Sequence, residues 1–118
     1  MRLTLRQTKE NIEQDPQWWC IHLMNFVDDF RYYKDRLAVT EPFERSDEKM
    51  DAVLASTAES LCDEIGIDPP GWLADVPACR DPYFVADVQN LKAISIVESP
   101  LRFRIRKIFV LENFLSRV

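Results

Sequence analysis

Asp15-Pro16-Gln17-Trp18-Trp19-Cys20-Ile21-His22-Leu23-Met24-Asn25-Phe26-Val27-Asp28-Asp29-Phe30-Arg31-Tyr32-Tyr33-Lys34 is the most strongly patterned stretch of the chain. Trp19, Leu23, Phe26, Val27 and Phe30 recur at i, i+4, i+7, i+8 and i+11, continued by Tyr33 or Lys34, the spacing of one face of an α-helix. Asp15 can cap the helix, and Pro16 suits its first position, where a missing N–H is no loss. The pattern predicts a helix to about Arg36. Each buried aromatic contributes about 1.5–3 kcal/mol, so this helix is expected to be the spine of the core.

On the N-terminal side, Thr4-x-x-Gln7 spells a capping box and predicts a short, partly exposed helix over Thr4 to Gln14. On the other side, Thr40-Glu41-Pro42 reads as a loop. Ser46 is the expected N-cap of the next helix, with Asp47 and Glu48 favoured by the dipole of its first turn. Met50, Val53, Leu54, Thr57, Leu61, Cys62 and Ile65 form its apolar face, and Gly66 stands where a residue at positive φ ends a helix. Asp51, Glu59, Asp63 and Glu64 are expected on its solvated outer face.

Pro69-Pro70-Gly71 and Pro77 mark an extended connector, with Trp72 and Leu73 expected to plug onto the core. Asp81-Pro82 repeats the Asp15-Pro16 device. Phe84, Val88, Leu91 and Ile94, with Ile96 or Val97, predict a third amphipathic helix to about Glu98. After Ser99-Pro100 come a short turn, an extended Ile108-Phe109-Val110 and a last helical turn over Asn113 to Arg117. The expected fold is mainly α: a single-domain bundle of three long helices plus a short N-terminal helix. An irregular, basic C-terminal segment lies across it, and the second, third and fourth helices share the core.

The charge is unevenly placed. The 118 residues carry 15 Lys and Arg against 20 Asp and Glu, a formal net charge of −5. The last twenty residues hold five basic residues (Arg102, Arg104, Arg106, Lys107 and Arg117) and one acid, Glu112, so they stand at +4 against −9 for the rest. These five are the candidate binding residues, because guanidinium forks grip phosphates and carboxylates alike. The competing reading is that they pair with the chain's own acids, such as Asp51, Glu59 and Asp63. The acidic balance argues against indiscriminate nucleic-acid binding, which needs a net basic face.

Catalytic motifs are lacking. Two glycines, Gly66 and Gly71, cannot build a phosphate loop, and the serines lie in no nucleophile elbow. Cys20, Cys62 and Cys79 have no metal-ligand spacing and read as packing residues of a reduced, cytoplasmic protein. His22 reads as a flank residue touching solvent or a carboxylate. Adjacent Asp28 and Asp29 diverge on a helix and suit surface pairing with Arg31, Lys34 or Arg36. No cofactor or metal is expected, and no apolar run reaches the roughly 20 residues of a membrane span.

Pro70-Gly71-Trp72-Leu73, Asp81-Pro82-Tyr83-Phe84 and Glu98-Ser99-Pro100-x-x-Phe103-Arg104-x-Arg106-x-Ile108-Phe109-Val110-x-x-Asn113-x-Leu115-Ser116-Arg117 together resemble a family of small uncharacterised bacterial proteins. Members are encoded near nucleotidyltransferase-like toxin genes and are sometimes labelled antitoxin-like or regulatory. The resemblance covers roughly the C-terminal half. It departs at Lys107, where the family has Asn, and at Leu111, where it has a small residue. It implies a genomic context more than an activity. The first function reading is a non-enzymatic interaction protein, an antitoxin-like partner of a nucleotidyltransferase-type protein, with the basic segment as docking element together with whichever of Trp18 and Trp72 is exposed. A nucleic-acid-binding regulator using the same segment is the alternative. Homodimerisation through an Ile108-Phe109-Val110 edge is left open.

Overall fold

The computed structural model describes residues 3–85, 89–111 and 113–115. Its centre is α3 (Glu48–Glu64), in which every residue from Asp51 to Glu59 is buried. A helix enclosed on all sides needs small side chains so that its neighbours can approach. Ala52, Ala55, Ser56 and Ala58 supply them. Sequence reading gave the central place to α2 (Trp19–Tyr33), but α2 buries one stripe only: Leu23, Phe26, Val27 and Phe30. Aromatic bulk marks a helix that packs on one side, whereas small residues mark the helix others surround.

α1 (Leu5–Gln14) begins with the expected capping box. Thr4 Oγ1 accepts from the Gln7 N–H at 3.0 Å and Gln7 Oε1 accepts from the Thr4 N–H at 3.1 Å. Asp15 makes no side-chain cap; Pro16–Trp18 form a 3₁₀ turn, and α2 starts after it. α2 stops at Tyr33, short of Arg36, because Lys34 adopts a left-handed conformation with φ 52°. Asp35 then accepts from the Leu37 N–H and opens a 3₁₀ turn at Arg36–Val39.

The cap of α3 is Asp47 rather than Ser46, with its carboxylate accepting from the Met50 N–H at 3.0 Å. The helix ends in a Schellman motif. Gly66 (φ 72°) donates to the Asp63 carbonyl and Ile67 donates to that of Cys62. Trp72, at the head of the single-turn helix α4 (Gly71–Ala74), donates from Nε1 to the Val39 carbonyl at 2.9 Å and meets Phe43 edge-on. That is the expected plug.

The C-terminal third departs furthest from expectation. Tyr83–Phe84 is a strand, β1, and not the start of a helix; it pairs in parallel with β2 (Ile108–Phe109), Tyr83 opposite Ile108 and Phe84 opposite Phe109. Two residues per strand give too short an alternation to be legible. Between the strands lie α5 (Gln89–Glu98) and the single turn α6 (Leu101–Arg104). Val88 and Arg117 lie outside the described residues. Ile108 and Val110 are fully buried and Phe109 is half-buried. The core therefore joins α1, α2 and α3 with Leu73, Phe103, Ile108 and Val110, and α5 adds no buried apolar side chain that the structure describes. Among the described residues no helix is long and apolar enough to cross a membrane.

Candidate interaction surface

The basic segment splits between interior and surface. Arg106 is 4% exposed and forms an ion pair with Glu59, itself 4% exposed. Its guanidinium also donates to the Val76 carbonyl (3.1 Å), the Leu73 carbonyl (2.6 Å) and Ser56 Oγ (3.4 Å). Arg102 grips Asp63 bidentately at 2.9 and 3.0 Å and lies 3.9 Å from Glu59. Those bonds raise the Arg102 pKa further above its usual value. Of the acids expected to be solvated on α3, Glu59 is thus an interior partner of the tail. Asp51 is another interior acid, 4% exposed, but its partner is Lys9 of α1. The Lys9 ammonium also donates to the Glu44 carbonyl at 2.9 Å and stands over the Phe43 ring. Charged groups this deep remain ionised only when paired and hydrogen-bonded. Asp63 and Glu64 do lie at the surface, Glu64 bound bidentately by Arg31.

Arg104 and Lys107 remain outside. Arg104 donates to the Ser99 carbonyl at 2.8 and 3.2 Å, and Lys107 Nζ lies 3.4 Å from the Arg80 carbonyl. Lys107 has φ 61°, a left-handed conformation that suits Asn or Gly better than Lys. The structure therefore brings Arg102 and Arg106 together around Glu59 and leaves Arg104 and Lys107 on the exterior.

Sequence reading missed the outward face of α5 and α6. Among the described side chains of α5 the buried one is Ser95, with Ser99 just beyond the helix end, while Ala93, Ile94, Ile96 and Val97 face outward. The inversion has a local cause. Ser99 Oγ accepts from the Val110 N–H at 2.8 Å, and Ser95 folds its hydroxyl back on the Leu91 carbonyl at 2.9 Å. Small polar side chains thus supply the hydrogen bond that the backbone just past β2 needs, since a buried N–H cannot stay unpaired. The apolar residues are left outside: Ile94 is 45% exposed, Ile96 48%, Val97 77%, Leu101 69% and Ile105 56%. Leu101 and Ile105 share a face one turn apart, as the Ile105 N–H donates to the Leu101 carbonyl at 3.0 Å. No local signal in the sequence marks this face, since Leu91, Ile94 and Val97 also fit a core-facing stripe.

Leu101 also borders a half-open groove of about 300 Å³, floored by Phe103, Val110, Phe114 and Leu115 and flanked by Arg31 and Arg102. No group of His, Cys, Asp or Glu among the described residues is placed to hold a metal ion. His22 lies on the flank of α2, 3.7 Å from the Asp15 carboxylate. Asp29 accepts from the Leu3 N–H at 2.7 Å. Cys62 and Cys79 are buried, but Cys20 is exposed rather than packed. Burial, reinforced by Asp63 and Glu59, pushes the Cys62 thiol up to about 11. No protein-family model, curated protein or solved structure matches this chain.

Proposed function

We propose that this chain is a non-enzymatic interaction protein that docks on a protein partner through the outward face of α5 and α6, with Arg104 and Lys107 at its border. The observation that carries the reading is the inversion of α5, which buries a serine and leaves two isoleucines and a valine in solvent. Large apolar side chains left in solvent along one helix favour a surface that meets a partner. The resemblance makes a nucleotidyltransferase-type protein the first partner to try and an antitoxin-like role the first to test. The nucleic-acid alternative has weaker support, since Arg106 is enclosed and Arg102 is held by Asp63.

The test is affinity capture of the tagged chain from its host with nuclease present. Val97→Asp and Leu101→Asp should each abolish recovery of a stoichiometric protein partner while leaving the circular dichroism spectrum unchanged. Recovery undiminished by both substitutions would sink the reading.

A further inference from the structure

We infer that two copies of this chain associate through the outward face of α2, antiparallel and about a two-fold axis. The contact uses a different helix from the α5–α6 docking face and does not depend on that reading. Opposite the buried stripe of α2 lie Ile21, Asn25, Asp28 and Tyr32, all exposed, Ile21 at 49% and Tyr32 at 79%. Steps of four, three and four residues set these four on one face of the helix.

The order along that face is apolar, polar, polar, apolar, which reads the same from either end. A two-fold axis midway between Asn25 and Asp28 therefore sets Ile21 against the second copy's Tyr32, and Asn25 against the second copy's Asp28. On both sides of the axis an aliphatic group meets an aromatic ring and an amide meets a carboxylate able to accept from it. An isologous contact demands such a self-match, whereas contact with a different protein leaves the two ends of a face unrelated.

Charge follows the same symmetry. Asp15, with its side chain 58% exposed, precedes α2, while Lys34 and Arg36 are exposed after it. Asp35 stands between those two bases, accepting from the Leu37 N–H, and leaves that end positive. Antiparallel pairing brings Asp15 beside the second copy's bases and sets opposite helix-dipole ends together. Trp18 in the 3₁₀ turn before α2 is also exposed, and Tyr33 meets Tyr32 edge-on at 4.8 Å. With Ile21 and Tyr32 these rings offer on the order of 500 Å² per copy, below the roughly 800 Å² per partner of a standard interface. Each copy carries a net charge of −5, and the two Asp28 carboxylates approach across the axis, so the dimer is weak and reversible.

Sedimentation equilibrium of the full chain over a range of concentrations tests the contact. The wild-type chain should dimerise reversibly. Ile21→Glu and Tyr32→Lys should each weaken the dimer at least about tenfold without changing the circular dichroism spectrum, since both positions are exposed. An equal mixture of the two variants should associate more tightly than either alone, because one contact then pairs Glu with Lys and the other keeps Ile against Tyr. Val97→Asp should leave the dimer unchanged. A chain that stays monomeric throughout, a dimer indifferent to Ile21→Glu, or a mixture no tighter than its components would overturn the two-fold contact. So would a dimer that Val97→Asp dissociates.

Discussion

Replacing Arg106 by Met should cost about 4 kcal/mol of folding stability, within the range of about 3–5 kcal/mol for removing one member of a buried ion pair. The loss has identifiable parts. Glu59 keeps its burial but loses its close partner, with only Arg102 at 3.9 Å to compensate. The carbonyls of Leu73 and Val76 lose the donors now at 2.6 and 3.1 Å. Each orphaned buried group costs about 1–3 kcal/mol, and these costs overlap with the loss of the pair rather than adding to it. Met follows the aliphatic stem of Arg closely enough that little cavity forms, so electrostatics and hydrogen bonding dominate. Glu59→Gln should cost less, because an amide can still accept from Arg106 Nη1. The double variant should be less destabilised than the sum of the two singles by roughly 2 kcal/mol, a coupling expected for contacting groups. The assay is equilibrium unfolding in urea followed by helical circular dichroism, fitted with a common m-value. A loss below about 1 kcal/mol for Arg106→Met, the range of exposed ion pairs, would refute the reasoning and return Arg106 to the surface.

Lys9→Met should cost a similar 3–5 kcal/mol or so, because it strands Asp51 in the interior, whereas Arg104→Ala should change stability by less than about 0.5 kcal/mol in the same urea assay. Lys107→Asn should stabilise the fold by roughly 0.5–1 kcal/mol by relieving the left-handed backbone at φ 61°; a loss of stability would show that the lysine side chain matters more than its backbone. The thiol of Cys62 is raised in the folded state, so it stays protonated where the unfolded thiol ionises. Its stabilising contribution is complete below the usual value of 9.0 and declines as pH rises toward about 11. Cys62→Ala should remove that part of the alkaline decline, as measured by urea midpoints between pH 8 and 11.

The helices were legible in the sequence where a periodic stripe met a local stop signal. Thr4 with Gln7, Gly66, and the aromatic face from Leu23 to Phe30 all work over one turn or two, and they act in the structure as their chemistry dictates. Elements set by contacts distant in sequence were not legible. Phe84 continues an apolar spacing into Leu91, yet it pairs with Phe109, 25 residues away, and a two-residue parallel strand leaves no pattern of its own. The burial of Asp51 and Glu59 was hidden for a similar reason. On α3 they sit among apolar neighbours, and only the arrival of Lys9 and Arg106 from opposite ends of the chain makes their burial affordable. The exposed apolar face of α5 was misread because Leu91, Ile94 and Val97 fit a core-facing stripe, and nothing local shows that Ser99 is needed by the chain at Val110.

The charge asymmetry has a structural use apart from any partner. Asp51 and Glu59 lie two turns apart on α3, and each is buried against a cation from one end of the chain, Lys9 before it and Arg106 after it. Seating α1 one turn away from its place would strand Asp51, and shifting the segment between α6 and β2 would strand Glu59. Each error costs several kcal/mol, comparable to the whole stability of a small domain. Hydrophobic contacts alone would tolerate such slips, since one aliphatic side chain replaces another at modest cost. The two buried pairs therefore fix the positions of both chain ends on the central helix. Beside Arg106, Arg102 grips Asp63, and further along the chain the Val110 N–H donates to Ser99 Oγ. Ser95 and Ser99 are buried on that side of the chain, while Val97 between them faces solvent.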